Sequence, residues 1–184
     1  MGMNISDFLK LQNFKVLHRK ATLTLPKNRR FHFSDEKIKG VIDEPEGMEG
    51  AADFKPTGFW YSLGGDWLDF LDRESGFYRW ALHRYDEWRY VYSITLRFDK
   101  ILRLKTEKEF ASFTKKYGVV LPSSGSKYNH LINWKRVFKD YDGIETIHSR
   151  ERERDFLWFE NWDCSSGCVW RARSVRNFKL IKRL

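Results

Sequence analysis

Cysteine is scarce in this sequence, whose 184 residues include only Cys164 and Cys168. Two thiols cannot build a disulfide framework, and so low a count is typical of a reducing compartment. The pair also lacks the second pair of thiols found in most structural zinc sites, even if His148 is added as a third ligand. We therefore predict no metal site, and interpret both cysteines as small buried residues beside a turn.

Long apolar runs and glycine-rich motifs are also missing. No stretch approaches the roughly 18 apolar residues of a membrane span, and residues 1–20 lack the apolar core of a signal peptide. Gly64-Gly65 is not followed by the Gly-Lys-Ser/Thr ending of a phosphate-binding loop, and no Gly-x-Ser-x-Gly motif occurs. These absences argue against P-loop and α/β-hydrolase chemistry, and predict a cytoplasmic protein without a membrane partner.

Positive charge and aromatic rings are abundant instead. The net charge is +9, from 34 Lys and Arg against 25 Asp and Glu, and the chain has 8 Trp, 8 Tyr and 15 Phe. Such a balance favours an acidic partner, and nucleic acid is the partner we predict. The alternatives are an anionic protein or membrane as the partner, and a charge that only aids solubility. The predicted phosphate-binding residues are Lys135, Arg136, Lys139, Arg171 and Arg173.

The chain length and the lack of internal repeats predict a single domain over residues 1–184. Strands are predicted at 29–34, 59–63, 90–98, 101–104, 144–147, 169–172 and 178–181, where aromatic and β-branched residues concentrate. Helices are predicted at 35–42, 66–71, 106–117 and 133–141. Residues 5–16 are predicted as a short helix or an extended lead-in, and residues 78–88 as helical or irregular. Residues 150–155 are interpreted as a solvated charge run. The elements interleave without a βαβ rhythm, which predicts an α+β fold with a split, mostly antiparallel sheet and short helices.

Three short segments carry the candidate chemistry. Phe31-His32-Phe33-Ser34 places a histidine between aromatic residues on a strand, and Gly58-Phe59-Trp60-Tyr61-Ser62 is an aromatic strand that precedes a helix. Asp142-Gly143-Ile144-Glu145 places a carboxylate on a short late strand. Each segment alone would be ordinary core or surface, but the combination is informative.

This combination resembles the ADP-ribosyltransferase superfamily, in particular its toxin–antitoxin and phage-defence members that modify nucleic acid. The resemblance covers the order of elements over most of the chain, with short motifs. It implies NAD as co-substrate, transfer of ADP-ribose to DNA or RNA, and an antitoxin protein as a further partner. Gly143 stands where arginine-directed members have an earlier Glu or Gln, which argues against an arginine-directed protein modifier and leaves nucleic-acid bases and other acceptors open.

The resemblance also implies roles for individual residues. His32 would bind an NAD ribose with help from Ser34, Tyr61 would stack on nicotinamide, and Ser62 would support that pocket. Glu145 would stabilise an oxocarbenium-like transition state, as carboxylates do in glycoside cleavage. Glu160 is the rival for this role. Strand alternation would place Trp60 on the other face, in the core.

Two other functions remain open. A basic, aromatic domain also suits a non-catalytic module that binds single-stranded nucleic acid. A nuclease that uses His32, His130 or His148 as acid and base is the other, and it would cleave strands without NAD.

Overall fold

A computed structural model describes residues 23–43, 52–75, 88–121 and 127–184, and the expected segment 5–16 and most of 78–88 lie outside these ranges. The described chain forms a seven-stranded mixed sheet with short helices, so the α+β prediction is confirmed. The strands are β1 Arg30–Ser34, β2 Phe59–Leu63, β3 Tyr90–Leu96, β4 Ile101–Leu104, β5 Gly118–Val120, β6 His130–Ile132, β7 Gly143–Thr146, β8 Ser166–Val169 and β9 Val175–Arg183. The helices are α1 Asp66–Ser75, α2 Glu107–Tyr117, α3 Trp134–Asp140 and α4 Arg150–Asp155.

The main sheet has the strand order β4-β7-β8-β2-β1-β3-β9, and β5 and β6 form a separate hairpin. Only β4 and β7 pair in parallel, and the other neighbours are antiparallel. The order brings β7, from late in the chain, within two strands of β2. Residues far apart in the sequence therefore meet in the middle of the sheet.

Local sequence signals explain where the helices begin. Thr106 accepts a hydrogen bond from the Glu109 backbone N–H, and the Glu109 carboxylate accepts from the Thr106 N–H, which completes the predicted capping box of α2. Asn133 caps α3 with a single bond, because its side-chain oxygen accepts from the backbone N–H of Arg136.

The largest core packs helices α2 and α3 against one face of the sheet. Phe110 and Phe113 of α2 contact Trp158, which is fully buried and donates its Nε1–H to Thr114 at 2.8 Å. Trp162 lies in the same core. The aromatic segment 158–162 is therefore mostly core, where large rings contribute most of the buried area.

Three predicted elements differ in the structure. Residues 35–42 form no helix, because the Ser34 hydroxyl closes a tight turn with the backbone N–H and C=O of Glu36. The charge run 150–155 is helix α4, capped by Ser149. Arg152 donates from this helix to the carbonyls of Ile147 and Lys105, so the run is not simply solvated.

The strand predicted at 169–172 instead runs from Ser166 to Val169, and so includes part of the segment interpreted as a turn. Small residues pass through the middle of the sheet here because a neighbouring ring needs the space above Gly167.

Candidate functional site

A gap opens in the sheet between β1 and β2. The two strands pair only through Arg30 with Leu63 and Phe31 with Ser62. Beyond that point the His32 side chain replaces the backbone pairing, since its Nδ1 lies 2.7 Å from the carbonyl oxygen of Trp60. His32 therefore sits at the level of the sheet, in the space where the ladder has ended.

The bond to Trp60 determines which nitrogen of His32 carries the proton. A carbonyl only accepts hydrogen bonds, so Nδ1–H is the donor and Nε2 of the neutral ring is an acceptor. Burial lowers the pKa of His32, and this outweighs the opposing effects of the Trp60 carbonyl and of Asp35. The neutral ring is thus the form present near neutral pH.

An aromatic cavity of about 540 Å³ lies on the helix-covered side of the gap. We call it the aromatic cleft, and its lining includes His32, Trp60, Trp67, Trp88, Trp162 and Asp163. Trp67 and Trp88 stack at 5.9 Å between ring centroids, and Trp60 meets Trp162 edge-on at 4.9 Å. Indole faces on several sides suit a flat heterocycle.

A second cavity, of about 640 Å³, also borders His32. It is lined by the loop after β1, with Ile38, Lys39 and Val41, and by Gly58 and Phe59 at the start of β2. The His32 ring packs on Phe59 at 4.3 Å between centroids. His32 is thus shared by two cavities, each of a volume typical for small-molecule sites.

A row of four residues crosses the sheet in register beside the gap. Arg103 of β4 is opposite Glu145 of β7, Glu145 is opposite Gly167 of β8, and Gly167 is opposite Tyr61 of β2. Registered neighbours project from the same face. A Cβ atom at Gly167 would collide with the Tyr61 ring, so glycine leaves the space through which this ring reaches Glu145.

Glu145 is buried in a network of cations. Its carboxylate accepts from Arg30 at 2.6 and 2.9 Å, from Arg103 Nε at 3.0 Å and from the Tyr61 hydroxyl at 3.3 Å. The guanidinium groups of Arg30 and Arg103 lie over the Phe98 ring at 4.5 and 5.1 Å. Burial raises the pKa of Tyr61 well above its usual value, so the phenol remains a neutral donor.

The structure brings some of the sequence-predicted NAD residues to the gap and places others elsewhere. His32 lies in the gap, but Ser34 closes the turn with Glu36. Tyr61 is fully buried on the sheet face opposite Trp60. Ser62 accepts from the backbone N–H of Trp67 and donates to the carbonyl of Gly64, so it caps α1.

The two predicted catalytic glutamates are also separated. Glu145 shares the face of Tyr61 and has a relative exposure of 2%. Glu160 is exposed, just after the short 3-10 turn Leu157–Phe159. Neither glutamate lines the aromatic cleft. Among the described residues that line it, the carboxylate is that of Asp163.

The predicted phosphate-binding residues occupy neighbouring parts of the surface. Lys135, Arg136 and Lys139 are exposed on α3. The aromatic residue Phe138 of the same helix stacks at 4.4 Å on Trp170, the residue before Arg171. Arg173 forms a bidentate pair with Asp142, at 2.7 and 2.8 Å, and this bond lowers the pKa of that carboxyl group. Arg173 therefore already has an internal acidic partner.

Sequence reasoning missed Trp60, Trp67 and Asp163 as cleft residues, and Arg30 and Arg103 as partners of Glu145. Arg30 has a signal in the sequence, since it lies two residues before His32 and alternation places both side chains on the same side of a strand. The other placements depend on strand order. No local pattern reveals that order.

We expect the stability of the protein to fall as the pH drops below about 6.5, the ordinary pKa of histidine. The unfolded chain takes up a proton at His32 near that pH, whereas the folded chain does so only at a lower pH. Stability present above the unfolded pKa is therefore lost on acidification. Urea titrations from pH 7.5 to 5 would measure this loss, and His32→Gln should reduce it. Equal curves for the two proteins would contradict the prediction.

Comparisons with models of known protein families, with curated proteins and with solved structures find no match to this chain. Within the described ranges, no helix is both long and apolar enough to cross a membrane. Function must therefore be inferred from the chemistry of the gap, its two cavities and the surrounding charge.

Proposed function

We propose that this protein transfers ADP-ribose from NAD onto nucleic acid, on a fold of the ADP-ribosyltransferase type. The observation that carries the proposal is the position of His32. This neutral histidine stands where the β1–β2 ladder ends and borders both cavities. A dinucleotide has two rings joined by a charged linker, so two adjoining cavities with a shared polar residue suit it.

The residues present fit the parts of NAD. The indoles of Trp60 and Trp67 offer stacking surfaces for nicotinamide in the aromatic cleft. The acceptor Nε2 of His32 suits a ribose hydroxyl donor. Lys39 lines the second cavity and Lys55 lines the cleft, so both cavities carry a cation for the pyrophosphate.

The chemistry that NAD supplies is substitution at C1′ of the nicotinamide ribose. The C1′–N bond breaks, its electron pair leaves with neutral nicotinamide, and C1′ bonds a nucleophilic N or O of the acceptor as that atom gives its proton to solvent. His32 would orient the ribose, the indoles would exclude water, and a carboxylate would face the positive charge that develops at C1′.

Asp163 is the carboxylate we assign to that last role, in place of the glutamates that the resemblance implied. It lines the cleft together with His32 and Trp60. Its side chain is 47% exposed, and its Oδ2 lies 3.7 Å from the Lys55 ammonium. An exposed ion pair at this distance is weak, so the Asp163 carboxylate is available to a ligand. Glu145, in contrast, already accepts bonds from two guanidinium groups.

The deciding experiment incubates the purified chain with labelled NAD and, separately, with DNA, RNA or cell extract. Nicotinamide release and ADP-ribose adducts are measured by mass spectrometry. We expect an adduct on nucleic acid and a loss of about 100-fold or more in Asp163→Asn, since one electrostatic group in an active site contributes on that order.

Glu160→Gln is the matched control and should retain activity. Loss of activity only in Glu160→Gln, or in a Glu145→Gln protein that remains folded, would return the catalytic role to that glutamate. Salt-sensitive oligonucleotide binding with no nicotinamide release would favour the non-catalytic binding module instead. Harmless high-level expression in bacteria would count against a toxin or defence role with an antitoxin partner.

A further inference from the structure

A third cavity, an open groove of about 450 Å³, lies on the outer part of the sheet, on the β3 and β9 side of the gap. Its lining comes from β1 and the segment before it, from β3 and Phe98 after it, and from β9. Two cross-strand pairs form its floor, Ser93 with Lys179 and Thr95 with Asn177. We call it the basic groove, and none of its described lining residues is Asp or Glu.

The groove combines exposed cations with neutral hydrogen-bonding groups. Arg29 and Lys179 are exposed, as are the side chains of Asn28, Thr95 and Asn177. Cations bind phosphates, and amide and hydroxyl groups bind phosphate or sugar oxygens, which are the usual contacts to a nucleic-acid backbone. An acidic protein would gain from the charges but would have less use for so many neutral polar groups.

Exposed apolar groups border the same groove. Phe98 is 39% exposed and Ile181 is 44% exposed, and both belong to the lining. A groove that tracks phosphates beside surfaces for unstacked bases is typical of single-strand binding. A duplex, whose bases are already stacked, would leave these surfaces uncovered.

The basic groove adjoins the proposed reaction site. Arg30 lines the groove and lies two residues before His32 on β1, a separation of about 7 Å along an extended strand. One nucleotide step of an extended strand covers a similar distance. A strand held in the groove would therefore lie beside β1, the strand that also carries His32.

We infer that the basic groove binds single-stranded nucleic acid, and that this strand is the acceptor of ADP-ribose. The acceptor role rests on the proposed function, whereas the binding does not. Arg29 and Lys179 bind successive phosphates, the amide and hydroxyl groups bind the backbone, and the apolar rim contacts bases. The protein therefore recognises its acceptor as a single strand.

The test measures fluorescence anisotropy of labelled 12-nucleotide DNA and RNA of mixed sequence, without NAD, over a series of salt concentrations. The double variant Arg29→Gln, Lys179→Gln should bind about tenfold more weakly or worse. Its plot of log K against log salt should be less steep by about 1.4, since each phosphate contact on a single strand contributes about 0.7.

The matched control is Lys108→Gln, Lys115→Gln, which also removes two exposed cations but from helix α2. Its affinity should stay within about twofold of the wild type. Equal weakening of both double variants, or of the control alone, would overturn the inference, and so would tighter binding of a duplex. Binding of polyglutamate without binding of oligonucleotides would overturn it in favour of an acidic protein.

Nicotinamide release from NAD alone separates this inference from the proposed function. The groove variant should release nicotinamide at the wild-type rate and lose only the nucleic-acid adduct. If the wild type releases none but still binds oligonucleotides through Arg29 and Lys179, the proposed function fails and the binding site stands. If adducts form equally in wild type and groove variant, the acceptor does not use this groove.

Discussion

Replacing Glu145 with glutamine is expected to lower the free energy of unfolding by about 3 kcal/mol. The side chain is 2% exposed and neutralises Arg30, whose own side chain is only 14% exposed. Removal of the carboxylate charge leaves this guanidinium group partly buried without an anion. Arg103 is 40% exposed and can turn towards solvent. The expected loss of unfolding free energy is therefore at the low end of the range for broken buried ion pairs.

Urea unfolding measures this effect, and Glu160→Gln supplies the control because that carboxylate is exposed and should change stability by less than about 0.5 kcal/mol. The double variant Glu145→Gln, Arg30→Gln should recover part of the loss, since it removes both charges together. A fully stable Glu145→Gln protein would contradict the interpretation of this network as structural.

The second large effect is expected on NAD turnover when Trp60 is changed. Trp60→Leu should lower kcat/KM for NAD by about 10- to 100-fold, because stacking on an aromatic ring contributes about 1–3 kcal/mol per base. Trp60→Phe should restore much of this, since it keeps a ring in the aromatic cleft. Nicotinamide release at several NAD concentrations gives the values.

Tyr61→Phe is the matched variant on the neighbouring residue. Tyr61 is fully buried on the other face, and its hydroxyl contacts Glu145 at 3.3 Å. Loss of this hydroxyl should lower the free energy of unfolding by about 1 kcal/mol and leave the rate of nicotinamide release unchanged. The reverse outcome, with Tyr61→Phe inactive and Trp60→Leu active, would restore the stacking role that the resemblance assigned to Tyr61.

Much of the fold could be predicted from local patterns. The strand at β3 has a dense run of β-branched and aromatic residues, and α2 begins at a capping box that reads directly from Thr106 and Glu109. Segments with competing local chemistry were harder. Ser34 has the residue type of a helix cap, but its hydroxyl closes a turn with Glu36 instead.

The site was less predictable because it depends on which strands become neighbours. Alternation alone shows that Trp60 and Tyr61 face opposite sides, but not which side the cleft occupies. That choice follows from β8 lying beside β2, which pairs Trp60 with Cys168 and Tyr61 with Gly167. The burial of Glu145 depends on Arg30, 115 residues away in the chain, and so no local pattern reveals it.

The outermost strand, β9, has a consequence for how these molecules behave at high concentration. It pairs with β3 on one side, and it ends the described sheet on the other. Nine residues of strand with a free edge would invite a second molecule to add its own strand. Exposed Arg176, Lys179 and Arg183 repel the same charges on an approaching copy, so the cations that suit an anionic ligand also oppose self-association.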